Sequence, residues 1–350
     1  MPEDLKLWTT MATDHNKNAR QAESSRSRME KKDKADESSL TSIAQGLTVG
    51  GLNLLITVVI MKFPALRSKK EYLILAGQTL ADGCNQMAYL VTGVYRILTM
   101  VRATKEDLRS HLTGWECVNT PHTLSFMFTD HVAAAMLAVI SLDRLLAVSV
   151  PLDYVGWTTR YTYSMLGVAY GYSLLNGGIG LLLAFMNRPN DQPRIGFGCF
   201  RMMKIWEAFP VYTMHYMLAL PTVALLSVVL YAATVVVFVR KPNKTAPLVA
   251  NSQMKRDLKH QRQFTVTVGI SCVCTFLFTV LPWILPFMME TPLGFWIFTL
   301  NPLANVIIYP LRQSNIRMGI RALFTCKHMA EDLRMWSNVA VPAKHPKVLQ

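Results

Sequence analysis

The chain has 350 residues, of which 51% are hydrophobic and 17% charged, and it carries a formal net charge of +14. That charged fraction is below the roughly 25% of soluble domains, and the apolar content excludes a chain disordered throughout. The excess positive charge flanks apolar segments, which points to anionic headgroups or a cytosolic partner and away from nucleic acid.

Residues 1–39 are rich in Ser, Lys, Glu, Asp and Arg, with acids and bases in balance and no apolar signal-peptide core. They read as a disordered tail without a cleavable signal. Seven apolar segments follow, near residues 41–61, 72–99, 118–144, 162–186, 207–239, 260–288 and 293–310. A helix needs roughly 20 apolar residues to cross the hydrocarbon core, and only helices satisfy their own backbone groups in lipid. The expected fold is an all-α membrane protein, a seven-transmembrane helix bundle over residues 40–312. Ile316, Ile320, Leu323 and Phe324 alternate with Arg317 and Arg321, so residues 313–326 read as a short amphipathic helix on the membrane surface. Residues 327–350 form a cytoplasmic tail.

Charge orients the bundle. The first inter-helix loop (Lys62, Arg67, Lys69, Lys70), the loop after the fifth segment (Arg240 to Arg262) and the C-terminal region together hold as much net charge as the whole chain. The positive-inside rule makes all three cytoplasmic, with the N-terminus outside and the C-terminus inside.

The cysteines sort by depth. Cys84, Cys272 and Cys274 fall within apolar segments and read as packing residues. Cys326 follows the last helix, where reversible palmitoylation is chemically accessible. Cys117 and Cys199 both map outside, where no other cysteine competes, and an oxidising exterior permits a bridge between them.

Polar residues within the spans carry the functional signal, because a carboxylate at mid-membrane costs about 2.5–3.5 kcal/mol on insertion scales. Asp82 lies midway along the second segment, at a depth comparable to Asn53, Asn301 and Asn305. These four are expected to form either structural hydrogen bonds or a hydrated switch. Asp143 and Arg144 close the third segment, followed by a turn and Pro151-Leu152; such a helix end can be locked by an ion pair. Asp130, His131, His122 and His215, with Phe126, Tyr212, Trp283 and Trp296, are candidates to line a cavity open to the outside. Pro221 and Pro282 interrupt the fifth and sixth helices and permit kinks. No chelating pair, zinc motif, paired catalytic aspartates or phosphate-binding loop is present, so neither metal, cofactor nor enzymatic activity is expected.

Taken in order, these residues resemble the rhodopsin-like (class A) family of G-protein-coupled receptors, from about Gly50 to Phe324. Gly50-Gly51-Leu52-Asn53 looks like the first-helix signature and Leu80-Ala81-Asp82 like that of the second. Asp143-Arg144-Leu145 is similar to the family's Asp-Arg-Tyr block, Phe276 and Pro282 to its sixth-helix motif, and Asn305-Val306-Ile307-Ile308-Tyr309 to its Asn-Pro-x-x-Tyr motif. The departures are Leu145 for Tyr, Val306 for Pro, Thr279-Val280 for Cys-Trp, Cys117 two residues early, and Ala133 where relatives place a sodium-coordinating Ser. They look similar to invertebrate, particularly nematode serpentine, chemoreceptors of the Srsx type.

The resemblance implies a multi-pass plasma-membrane receptor for an extracellular small molecule or peptide, coupled to a heterotrimeric G protein. It implies ligand contacts at Phe126, Asp130, His131, Tyr212, His215, Trp283 and Trp296. It implies an activation switch at Asn53, Asp82, Asp143, Arg144, Pro221, Phe276, Pro282, Asn301, Asn305 and Tyr309, and G-protein contacts at Arg144 and Leu152. Phe126 stands where aminergic relatives carry their amine-binding acid and Thr299 where opsins carry lysine, which disfavours a monoamine and a Schiff-base chromophore. The alternative is a membrane transporter using Asp82 and Asp130.

Overall fold

The computed structural model describes residues 39–102, 111–188, 195–196, 199, 210–240, 265–284 and 292–325. α1 (Ser39–Lys62) contains a π-helical turn at Gly46–Gly50 and stops at Phe63, whose extended backbone feeds the short α2 (Pro64–Arg67). α3 (Lys70–Arg102) is followed by β1 (His111–Leu112), the single-turn α4 (Gly114–Val118) and the long α5 (Pro121–Ser149). Next come α6 (Pro151–Gly156), α7 (Thr159–Asn187), β2 (Ile195–Gly196) and α8 (Pro210–Arg240). α9 begins at Thr265, passes through a π-helical turn at Phe276–Val280 and continues as Leu281–Ile284. α10 (Pro292–Arg312) and α11 (Ser314–Thr325) close the described chain.

Four helices are long and apolar enough to cross a bilayer among the described residues: Ser39–Lys62, Pro121–Ser149, Thr159–Asn187 and Met214–Arg240. α3 has the length, at 33 residues, but its hydropathy is diluted by Gln78, Asp82 and Gln86, all buried. α10, at 21 residues, carries the buried Asn301 and Asn305 and the in-helix prolines Pro302 and Pro310. The outer faces of α7 and α8 expose Leu174, Leu175, Leu182, Phe185, Leu218, Leu225, Leu226 and Val229. Such a belt would drive association in water; lipid chains solvate it.

α5 is the central helix, packing on α3, α7 and α8. One apolar cluster joins Ile56, Ile60, Leu75, Met136, Ile140, Tyr309 and Ile316 near the Arg144 end of the bundle. A second, at the opposite end, surrounds Cys117 and Cys199 with Val118, Met127, Ala184, Ile195 and Tyr216. There β1 and β2 pair antiparallel, His111 opposite Gly196 and Leu112 opposite Ile195.

Three boundaries differ from the sequence reading. The third long helix starts at Pro121, because Cys117 belongs to the separate α4, closed by a capping box between Thr113 and Glu116. Asp143 and Arg144 do not end that helix, which runs on to Ser149 and stops before Pro151, whose ring keeps Val150 out of the helical region. The expected turn after it is the helix α6, started by Pro151 at its first position. Cys84, read as a packing residue, is exposed on α3: hydropathy gives depth, not the face of the helix.

α1 and α3 approach closely at Gly46. A Cβ there would lie 2.7 Å from the Leu90 nitrogen and 2.8 Å from the Gln86 oxygen, backbone atoms that cannot step aside; small residues permit such contacts in membrane bundles. Gly46→Val is expected to cost about 1–3 kcal/mol by overpacking, measured as a lower melting temperature of the protein in detergent.

Candidate functional site

Buried polar groups run along the inside of the bundle. Asp82 on α3, 2% exposed, accepts hydrogen bonds from Gln78 Nε2 at 2.8 Å and from Asn305 Nδ2 on α10 at 3.0 Å. Asn305 Oδ1 in turn accepts from Ser271 Oγ on α9 at 2.5 Å, and Ser271 lies 3.5 Å from the Tyr309 hydroxyl. Thr275 Oγ1 donates to Asn301 Oδ1 at 3.0 Å. Asp82, Asn301 and Asn305 therefore join a hydrogen-bonded tie between α3, α9 and α10. Asn53 is buried, but its Nδ2 donates within α1 to the Val49 carbonyl at 3.0 Å, so no hydrogen bond draws it into that tie. Ser141 Oγ and Cys272 Sγ, 3.5 Å apart, connect α5 to α9.

Towards one end lies a cavity of about 200 Å³. α3 contributes Asp82, Asn85, Gln86 and Tyr89; α5 contributes Asp130 and Ala133; α8 contributes Tyr216 and α10 Asn301. Asp130 Oδ1 accepts from Asn85 Nδ2 at 2.6 Å and Oδ2 from the Tyr216 hydroxyl at 2.5 Å. Phe126, one turn away on α5, meets Tyr89 edge-on at 4.8 Å between ring centroids. His131 is not brought to this cavity: it is 1% exposed and its ring packs against Tyr172, His215 and Tyr216. Successive residues on a helix point about 100° apart, so Asp130 and its neighbour face different partners. His215 Nε2 pairs with Asn176 Oδ1 at 2.5 Å on α7. His122 likewise is buried, its Nε2 3.4 Å from the Cys199 carbonyl. Tyr212, Trp283 and Trp296 lie on described helices, and their side chains fall outside the described residues, as does the side chain of Leu152; Cys326 and the loop of residues 241–264 lie wholly outside them.

At the other end Arg144 is completely buried and Asp143 is 1% exposed. The guanidinium pairs with the neighbouring carboxylate, its Nε 3.0 Å from Asp143 Oδ2. Sequence reasoning missed the third member, Tyr154 of α6, whose hydroxyl donates to Asp143 Oδ1 at 2.9 Å and accepts from Arg144 Nη2 at 2.9 Å. Burial pushes the Tyr154 phenol above the ordinary tyrosine range. Lys70 holds Tyr154 from the start of α3: its ammonium bonds the Tyr154 carbonyl and sits 3.7 Å from the ring centroid. The signal available in sequence was Pro151, which starts a helix and carries Tyr154 back towards Asp143.

Tyr154→Phe removes both bonds of the hydroxyl, leaving Asp143 short of a donor at a cost of about 1–3 kcal/mol. The variant is expected to melt at a lower temperature in detergent than the unaltered protein.

Pro221 lies inside α8. Pro282 is buried just beyond the π-turn that Phe276 begins, so the sixth long helix carries an extra-residue turn and a proline in succession. Cys117 and Cys199 form a disulfide with Cα atoms 5.5 Å apart, fastening the segment after α7 to the approach to α5.

Helices packed around a polar axis, with apolar outer faces and a disulfide at one end, define a helical membrane protein. The chain belongs to the serpentine type 7TM GPCR chemoreceptor Srsx family, whose model matches residues 47–292. The match covers the cavity walls from α3, α5 and α8 together with the Asp143–Arg144–Tyr154 cluster, and it ends where α10 begins. Comparison with curated proteins gives no match. The family is one of chemoreceptor-type G-protein-coupled receptors and not a class of enzyme, and it favours a receptor over the transporter reading of Asp82 and Asp130.

Proposed function

We propose that this chain is a chemosensory receptor of the plasma membrane that crosses the bilayer seven times, with α1, α3, α5, α7, α8, α9 and α10 as its spans. The N-terminus lies outside and the C-terminus inside, as the basic flanks of α1, α8 and α10 favour. Residues 1–39 and 327–350 are tails on the two sides, and residues 40–312 form the receptor domain. α11, within residues 313–326, lies on the inner leaflet: Ile316, Gly319 and Ala322 are buried, while Arg317 and Arg321 face out. Cys326, next to it, is a site for lipidation.

An extracellular small molecule or peptide enters the cavity beside Asp130 and Phe126, with His131 and His215 packed behind it; Tyr212, Trp283 and Trp296 are further candidates for ligand contact. Preferential binding to one bundle packing shifts the population towards that packing. α9 then moves about Phe276 and Pro282, with Pro221 allowing α8 to follow. The ties among Asp82, Asn301, Asn305 and Tyr309 rearrange beside Asn53, and Arg144 leaves Asp143. A groove opens for a helix of a heterotrimeric G protein, contacted by Arg144 and Leu152.

The observation that carries this reading is the buried Asp143–Arg144–Tyr154 cluster, joined to the cavity by α5, which holds Asp130 in the cavity wall and Arg144 towards the other end. A buried ion pair contributes little net stability but gives a two-state latch. The test is a panel of G-protein dissociation sensors in cells, challenged with odorant and peptide libraries. Ligand-dependent dissociation of at least one heterotrimer is expected. Ligand-driven flux in proteoliposomes, with every sensor silent, would overturn the reading.

A further inference from the structure

Among the described residues, the cavity is lined by two carboxylates and no base. Asp82 and Asp130 each accept two hydrogen bonds, all from neutral groups, and neither has a basic partner among the described residues. An ionised carboxylate has about four lone-pair positions. Asp130, with one donor on each oxygen, therefore has acceptor capacity left for a ligand.

The rest of the wall is not that of an ion cage. Ala133, Ala134, Leu137, Leu220 and Ala224 make one side apolar, and a dehydrated metal ion would meet carbon there. The volume also exceeds what an ion needs. A cavity of about 150 Å³ admits benzene, so about 200 Å³ admits a ring or branched chain with a short tail. The small side chains Ala133 and Ala134 leave that space directly beside Asp130. Tyr89 and Tyr216 add aromatic rings to the lining, and such rings attract cations when water is excluded.

We propose that the ligand of this cavity is a small primary amine, its ammonium bonded to Asp130 on the Asp82 side and its carbon body against Ala133, Leu137 and Leu220. This rests on the reading of the chain as a receptor with its ligand site here, and names the chemical class that site selects. It revises the expectation drawn from Phe126: the acid is present one helical turn further along α5. One monocation between two buried acids lowers the cost of holding charge in the bundle, which a neutral ligand of the same shape cannot do.

The test uses the purified full-length chain in nanodiscs, without G protein, so that it does not depend on coupling. Melting temperatures are compared with benzylamine, isobutylamine and 2-phenylethylamine, with the matched neutral alcohols, and with sodium against N-methylglucamine chloride at equal ionic strength. At saturation at least one amine is expected to raise the melting temperature by roughly 4 °C, with no shift from its alcohol. Asp130→Asn, which keeps the shape and removes the charge, is expected to lose the amine shift, whereas Leu174→Ala, on the exposed outer face of α7, keeps it. Equal shifts from amine and alcohol, no shift from any amine, or a shift from sodium alone would overturn the proposal. Those comparisons on the unaltered chain decide it even if Asp130→Asn does not fold. Amine binding without any sensor response would leave the proposal standing and count against the receptor mechanism. A sensor response to other ligands without amine binding would do the reverse.

Discussion

Arg144→Ala is expected to abolish ligand-stimulated G-protein activation while the protein still reaches the cell surface. In the structure the guanidinium is completely buried and engages Asp143 and Tyr154. Its removal has two consequences that must be separated. The partner carboxylate loses its counter-charge, and breaking a buried pair on one side costs about 3–5 kcal/mol unless the survivor takes a proton. The charge that the proposed mechanism delivers to the docking groove also disappears. Pairing the change with Asp143→Asn removes the first consequence and keeps the second. The double variant is therefore expected to recover stability but not coupling, read by surface labelling alongside nucleotide exchange. Asp143→Asn alone keeps Arg144 and loosens its restraint, so its ligand-free activity should rise. Wild-type exchange rates in the Arg144→Ala receptor would contradict the assigned role.

Replacing Cys117 and Cys199 together by serine is expected to cost about 2–5 kcal/mol of stability and to weaken ligand binding. The bridge spans a sequence separation of 82 residues, and it centres an apolar cluster that includes Ile195, Met127 and Tyr216. Tyr216 also donates to Asp130, so loosening this end reaches the cavity wall within one residue. His122 contacts the Cys199 carbonyl, and that contact goes with the loop. α5 and α7 remain packed on each other, which limits the freedom regained and favours the lower half of the range. Thermal melting of the double variant, and of the unaltered protein after mild reduction, should show the same loss. A receptor that melts and binds as before would show that packing alone holds this end.

Much of the bundle was legible because it follows from hydropathy. The seven apolar segments overlap the long helices described, and the cysteine pair followed from depth. The polar centre was legible in kind, since an acid amid apolar residues needs partners, and Asn305 does donate to Asp82. What could not be read was direction. His131 adjoins Asp130 in sequence, yet the helix turns it towards Tyr172 and His215. Asn85, one turn from Asp82 on the same helix, binds Asp130 instead. Tyr154 sits after a proline in a segment that reads as a loop, and only folding back through α6 brings it to Asp143. The π-turns at Gly46–Gly50 and Phe276–Val280 add a residue to a turn without altering composition, so periodicity does not reveal them.

A latch at the Arg144 end is expected to open when the far cavity is filled. Val155 of α6 and Val266 of α9 are exposed, at 39% and 41%, and can carry spin labels at that end. Their distance distribution should be single in the ligand-free receptor. It should gain a longer component with an activating ligand and nucleotide-free G protein, and with Asp143→Asn even without ligand. One unchanged distribution under all three conditions, in a receptor that still activates its G protein, would contradict it.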